Sequence, residues 1–156
     1  MSTDTMLKGN ELFQALSVEE VDRISALSSV KEFSTNDMIF VHDRPGTHIY
    51  VLMDGLVYLQ LPSAIPEFNL SITKIQKGEL FGLSPLLDSP RYTASAKCFT
   101  RTKVLAIEAK PVREILQQNY LVGMKVMGRV SRIYFNRYIN LLKRLQETVS
   151  QISHVP

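Results

Sequence analysis

The residues best suited to bind a ligand lie between positions 82 and 95. A glycine at the end of a strand lets the backbone approach a ligand closely, and a helical turn after it can direct free N–H groups at an anion. An arginine from the next strand supplies a planar fork for two oxygens of that anion. In this chain those parts are the glycine Gly82, the amides of Leu83 and Ser84, the fork Arg91, and a hydroxyl from Thr93 or Ser95. The alternative is that Gly82 only turns the chain and Arg91 is a solvated loop charge.

Histidine and cysteine form no pattern typical of a metal centre. His42, His48 and His154 do not give the closely spaced pair with a nearby carboxylate that a metal-dependent β-roll enzyme needs. The single Cys98 cannot build a disulfide framework or a thiolate cage, and its alternation with alanines favours a core position. Because no nucleophile–base pairing or phosphate-binding Walker loop is visible either, we expect a protein that is not an enzyme and carries no metal.

Length and composition are typical of one globular domain. The chain has 156 residues, of which 45% are hydrophobic and 21% charged, and its net charge is +3. The N-terminal residues lack the apolar segment of a signal peptide, and no run approaches the roughly 18 apolar residues of a membrane span. We therefore expect a cytoplasmic protein with no membrane partner.

The elements that must position these residues are predicted to be mostly short strands. A capping box at Ser17–Glu20 predicts a helix over 18–28, and residues 82–88 are typical of a single helical turn. Strands are predicted at 30–33, 38–41, 48–53, 56–61, 71–75, 79–81, 93–98 and 103–107. Helices are then predicted at 110–118 and, after a break at Asn119, at about 120–152. The fold class is α+β, an antiparallel eight-stranded β-roll or jelly roll with a long C-terminal helix.

The long helix combines a heptad pattern with a concentration of positive charge. Its apolar residues spaced 3-4-3-4-3 form a line, here called the seam, which consists of Phe135, Tyr138, Leu142, Leu145, Val149 and Ile152. A heptad line of this kind predicts a homodimer, and a second apolar line, Met127, Val130, Tyr134 and Leu141, leaves one line to cover the β-roll while the other meets a partner. The alternative is that both lines belong to the core of the chain itself. Six cations and no acidic residue lie between Glu114 and Glu147. Because the net charge of the chain is +3, the rest of the chain carries −3. We interpret these cations as a solvated face rather than a nucleic-acid contact.

Three local patterns together resemble the cyclic-nucleotide-binding domain, specifically the effector domain of Crp/Fnr-type bacterial regulators. Residues 44–57 are similar to the family's first glycine-turn region, with Arg44-Pro-Gly46 at its start. Gly78-Glu-Leu-Phe-Gly82 is similar to the approach to the phosphate-binding cassette, here 78–98, and 84–95 to the cassette itself. The resemblance covers roughly 10–152. It implies a ligand site made of Phe81, Gly82, Leu83, Ser84, Arg91, Tyr92, Thr93 and Ser95.

Two departures from the family pattern concern the ligand. Leu83 stands where nucleotide-binding members have a glutamate that accepts from the ribose 2′-hydroxyl, and an unpaired buried hydroxyl costs roughly 1–3 kcal/mol. In an ungapped alignment Tyr92 stands where the phosphate arginine is expected, and Arg91 lies one residue early. A shift of one residue along a strand reverses the face to which a side chain points. Arg91 therefore points into the fold only if it precedes the strand. The same alternation predicts that Tyr92 points inward.

The resemblance implies a sensor domain in bacterial signal transduction and transcription regulation, and it leaves the ligand open. That ligand is a cyclic nucleotide (cAMP or cGMP) or another small anion. One alternative is a ligand-free module that dimerises or docks a partner protein through a closed pocket. Another is the effector half of a truncated regulator, since the chain by itself has no DNA-binding domain. We divide it into an N-terminal tail (1–9), a helix with a β-roll (10–109) and C-terminal helices (110–156).

Overall fold

Two antiparallel sheets face each other in the computed structural model, which describes residues 2–65 and 67–153. Within that part of the chain there are eight strands, four in each sheet. One sheet has the order β1-β8-β3-β6 and the other β2-β7-β4-β5. The strands are β1 Ser28–Phe33, β2 Met38–Phe40, β3 His48–Asp54, β4 Val57–Leu61, β5 Leu70–Ile75, β6 Leu80–Phe81, β7 Ser95–Cys98 and β8 Thr102–Glu108. The predicted eight-stranded antiparallel architecture is confirmed.

The helices lie at the two ends of the chain and on the first sheet. They are α1 Thr3–Gly9, α2 Val18–Ala26, α3 Ala109–Gln118 and α4 Tyr120–Ile152, and a 3₁₀ turn, Ser84–Leu87, interrupts the strands. The capping box forms as predicted, since the Ser17 hydroxyl accepts from the Glu20 amide and the Glu20 carboxylate accepts from the Ser17 amide. Asn119 ends α3 and caps α4 by accepting from the Val122 amide. This explains why a single asparagine separates two helices.

The central strands are buried on both faces because two apolar layers meet there. In β3, Ile49 and Val51 contact the helical layer, while Tyr50 and Leu52 lie between the two sheets. This alternation follows from the period of two along a strand. Cys98 is buried between the sheets, in the core position that its alternation with alanines predicts.

The structure differs from the sequence-based expectation at the N-terminus. Residues 3–9 form a helix capped by Ser2, with Leu7 fully buried in the helical layer, rather than a tail. The helix has seven residues and one deeply buried apolar side chain, so no amphipathic repeat could reveal it.

Two further sequence-based points concern histidine and membrane insertion. His154 lies outside the described residues. Among the described residues, no helix is long and apolar enough to cross a membrane.

Candidate ligand-binding site

Gly82 ends β6 in a conformation that other residues rarely adopt. Its φ is +66°, and a Cβ at this position would lie 2.9 Å from the Phe40 ring and 3.1 Å from the Tyr50 ring. Both backbone conformation and space therefore require glycine here. The chain then enters the 3₁₀ turn, whose first residue, Ser84, is buried beside Leu83.

Tyr92 is fixed inside the fold at both ends of its side chain. Its ring stacks on Phe40, with centroids 4.1 Å apart and planes 17° apart. Its hydroxyl donates to the His48 carbonyl at 2.7 Å and accepts from the His48 amide at 3.3 Å. A Cβ on Gly46 would lie 3.3 Å from this ring, which gives the Pro-Gly turn a structural role. The inward orientation expected from strand alternation is thus what the structure has.

Arg91 points away from the site. Its guanidinium donates to the Asp43 carbonyl, and Nε lies 3.9 Å from the Asp43 carboxylate. The side chain is 56% exposed. Because β7 begins only at Ser95, Arg91 lies on the loop before that strand. Strand alternation does not fix the direction of a loop residue, so the sequence allowed Arg91 to point toward the site. The structure therefore does not place the expected fork at the cassette.

A pocket of about 230 Å³ lies between the cassette and α4, and we call it the cassette pocket. Of the residues implicated by the sequence, it is lined by Gly82, Leu83, Ser84, Tyr92 and Thr93. Phe81 is fully buried between the sheets, and the Ser95 hydroxyl accepts from the His42 amide at 2.8 Å. Neither Phe81 nor Ser95 lines this pocket.

The opposite wall of the cassette pocket comes from α4, whose side chains are not among the site residues that the resemblance implies. It supplies Tyr134, Arg137, Tyr138 and Leu141. Burial raises the pKa of Tyr134, and its hydrogen bond with the Ser84 hydroxyl and the charge of Arg137 oppose that rise. The body-facing line through Tyr134 and Leu141 was visible in the sequence. Arg137 lies between them on the same helical face, so its spacing from Tyr134 and Leu141 could have indicated that it also faces the body.

Arg137 is partly buried against the β-roll, and its guanidinium donates to the Leu80 carbonyl. Burial lowers its pKa, while the charges of Glu79 and Tyr134 act in the opposite direction. The guanidinium remains protonated because its ordinary pKa is above about 12. Arg137 thus lines a mainly apolar pocket, and its guanidinium is held at the edge of that pocket by the Leu80 carbonyl.

Three arginines of α4 hydrogen-bond to the body, and one of them, Arg144, is still exposed, as the predicted solvated face requires. Besides Arg137, Arg129 donates to the Glu11 carbonyl, and Arg144 donates to the carbonyls of Ile72 and Ser71. All three bind backbone oxygens of the body, so they attach α4 to it over residues 129–144. The seam lies on another face of the helix, with Tyr138 at the border of the pocket, and its six side chains are between 41% and 67% exposed.

Comparison with known proteins agrees with this architecture. The model of the cyclic nucleotide-binding domain family matches residues 30–119. The cyclic AMP receptor protein of Thermus thermophilus is 26% identical over 126 residues, which are 81% of this chain and 58% of that protein. The chain spans 30% of the length of another curated relative, so it corresponds to only part of each.

Two solved structures illustrate the similarity of fold. The N-terminal domain of a transcriptional regulator from Streptomyces coelicolor A3(2) is 26% identical, with a TM-score of 0.64 and 94% of each chain covered. The sensor domain of the transcriptional regulator DNR from Pseudomonas aeruginosa is 20% identical, with a TM-score of 0.74, 86% of this chain and 90% of that chain covered. The family match spans more than half of the sequence, and it contains the cassette and the strands β2 to β8. This chain belongs to the cyclic nucleotide-binding domain family.

Proposed function

We propose that the domain is a non-enzymatic sensor that binds a small ligand in the cassette pocket and signals through α4 of a homodimer. The observation that carries this proposal is that α4 forms both the wall of the pocket and the exposed seam. Tyr138 belongs to both, since it lines the pocket and occupies a seam position. A ligand that contacts this wall would favour one orientation of α4 over another and so shift an equilibrium between two dimer arrangements.

The seam supports the dimeric part of the proposal. Its apolar side chains are regularly spaced and largely exposed, whereas the body-facing side of α4 buries Val122, Val126 and Val130. A heptad line of exposed apolar residues is typical of helices that pair with a second helix. Burial of the seam against a second copy would remove this surface from water.

The ligand that we propose is a small anion, with cAMP and cGMP as the first compounds to test. Membership of the family supports a cyclic nucleotide. Leu83 and Tyr92 at the positions of the family's glutamate and arginine favour a different anion. The pocket volume of about 230 Å³ also lies below the roughly 300–1,000 Å³ of typical ligand sites.

Calorimetry combined with sedimentation tests this function. The purified chain should sediment as a dimer across a wide concentration range, and saturable heat with cAMP or cGMP would identify the nucleotide as ligand. Absence of heat from both, on protein shown to be folded, would exclude the nucleotide version and leave another small anion. A monomer at high concentration would contradict signalling through the seam.

A ligand-free docking module is the second candidate, and the stacking of Tyr92 on Phe40 favours it. The ring fills space between β2 and the cassette, and the hydroxyl is already paired with backbone. In that case the domain would dimerise or bind a partner protein without any small molecule. If the chain is instead the effector half of a longer regulator, the encoding DNA will continue in frame beyond the codon for Pro156.

A further inference from the structure

Arg137 is the charged residue of the cassette pocket. Among the described residues that line the pocket, no other carries a formal charge near neutral pH. The rest of the lining is largely apolar or aromatic, including Phe40, Leu59 and Leu141. A ligand that fills this pocket therefore meets one cation on the helix side and hydrocarbon elsewhere.

The guanidinium has free capacity to bind an anion. It carries five N–H donors, and its hydrogen bond in the structure is to a neutral acceptor, the Leu80 carbonyl. No carboxylate lies within ion-pair distance of Arg137 among the described residues. A partly buried cation without an ion pair gains more from an incoming anion than a solvated one, because burial removes competing water.

Arg137 also borders a second cavity, which must be distinguished from the first. This basic groove of about 450 Å³ is lined by two carboxylates, Glu11 and Glu79, and by four cations, Lys74, Arg129, Arg132 and Arg137. The two carboxylates oppose an anion in the groove, whereas none lines the cassette pocket. The net charge of the groove still attracts anions, so charge alone does not choose between the two cavities. The mainly apolar lining of the cassette pocket favours it for an anion that has an apolar part.

Resting on the sensor function proposed above, we infer that Arg137 of α4, rather than an arginine of the cassette, binds the anionic group of the ligand. The ligand class is a small monoanion with an apolar or aromatic body, such as a carboxylate. One guanidinium balances one negative charge, and a dianion would leave a buried charge uncompensated. The pocket volume of about 230 Å³ and its mainly apolar lining limit the size and polarity of the uncharged part of the ligand.

This assignment connects occupancy to the position of the helix. Leu80 lies in β6, two residues before Gly82. An anion would bind N–H groups of the guanidinium that the Leu80 carbonyl leaves free. Ligand binding would thus connect the ligand, the helix and the body through one side chain.

The test uses phenylacetate as the probe and phenylacetamide as its neutral counterpart. Each is titrated into the ¹⁵N-labelled full chain and followed through amide signals of residues 82–84 and 92–94. We expect phenylacetate to perturb these signals and to bind at least tenfold more tightly than the amide. In Arg137→Gln that preference should fall to less than twofold. Glutamine can still donate to the Leu80 carbonyl, so it preserves the contact between helix and body.

Two control variants locate the effect. Arg132→Gln removes a cation that lines the basic groove alone, and Arg91→Gln removes the cassette arginine; both should keep the preference within twofold of wild type. A preference retained in Arg137→Gln overturns the assignment, as does a loss in Arg132→Gln or Arg91→Gln. Arg137→Lys, which keeps the charge without the fork, should retain part of the preference and shows whether a folding defect explains the glutamine variant.

Parallel titrations with cAMP and cGMP separate this inference from the sensor function. Binding of either nucleotide that is undiminished in Arg137→Gln would overturn the role of Arg137 and leave the sensor function standing. If neither nucleotide nor phenylacetate perturbs the pocket signals of folded wild-type protein, the assignment of Arg137 to a monoanion of this class fails, whereas the sensor function loses only the ligands tested.

Discussion

At the residue scale, the site depends on which side chain occupies each inward position. Tyr92 has the place that the resemblance gives to an arginine, and its hydroxyl is bound to His48, so no cassette guanidinium reaches the pocket. Strand alternation was enough to predict the orientation of Tyr92. The position of Arg91 depended on where β7 begins, and a sequence does not fix such a boundary to within one residue.

Substitution of Gly82 tests the close contact at the end of β6. Gly82→Ala is expected to lower the free energy of unfolding by about 2–4 kcal/mol, because left-handed strain adds to a clash with Phe40. Gly78→Ala, at φ +87° with open space around it, should cost about 1–2 kcal/mol from strain alone. Urea unfolding measures both. Equal losses would show that the space around Gly82 does not matter.

Stability is expected to fall below neutral pH, in part through His48. Burial and the charge of Lys31 lower its pKa, although Glu108 acts in the opposite direction. Because the unfolded chain then binds a proton more readily than the folded one, stability is lost as the pH falls from the ordinary histidine pKa of 6.5 through the lower folded value. Urea unfolding between pH 8 and pH 5 should show a smaller loss for His48→Gln. Identical losses in variant and wild type would contradict the role of His48.

At the element scale, local patterns predicted the helices and strands well. The capping box and the break at Asn119 both depend on hydrogen bonds between residues three apart. Such bonds can be predicted from a short stretch of sequence. The inward direction of Arg137 was not predicted, because it depends on how α4 lies against β6. Helix periodicity identifies a face but does not distinguish a cation that snorkels to water from one that reaches a carbonyl.

A charge in the seam tests whether α4 pairs with a second copy. Leu145→Asp should shift the chain from dimer to monomer, because a carboxylate between apolar side chains is costly to bury. Gln146→Asp adds the same charge to the neighbouring exposed position outside the seam and should leave the dimer intact. Sedimentation at several concentrations distinguishes the two. A dimer that survives Leu145→Asp would place the interface elsewhere.

At the scale of the whole molecule, the charge is distributed between a body of −3 and a helix segment of +6. The sequence indicated this asymmetry, and the structure shows that three of the segment's six cations hydrogen-bond to carbonyls of the body. Arg129, Arg137 and Arg144 are spread over about four turns of α4, and each donates to a different part of the body. The helix is consequently attached to the body over residues 129–144, whereas its last turns carry no such bond from an arginine among the described residues.

Hydrogen exchange should reveal two parts of α4 with different stability. In the Leu145→Asp monomer, amides of residues 145–152 should exchange quickly, since this end has exposed seam residues and no buried ones. Amides near Val126 and Val130 should remain protected by the core. Equally strong protection at both ends of the monomer would show that the C-terminal turns are stable without a partner.

The arginines of α4 have a consequence for the mutational tolerance of the domain. Each binds a main-chain oxygen, which is present whatever side chain the residue carries. Positions such as Glu11, Ser71 and Leu80 can therefore be replaced without removing the acceptor that holds the helix. The surface beneath α4 is free to diverge in sequence, and the pocket beside it to acquire new ligands, while the helix stays docked through the same three donors.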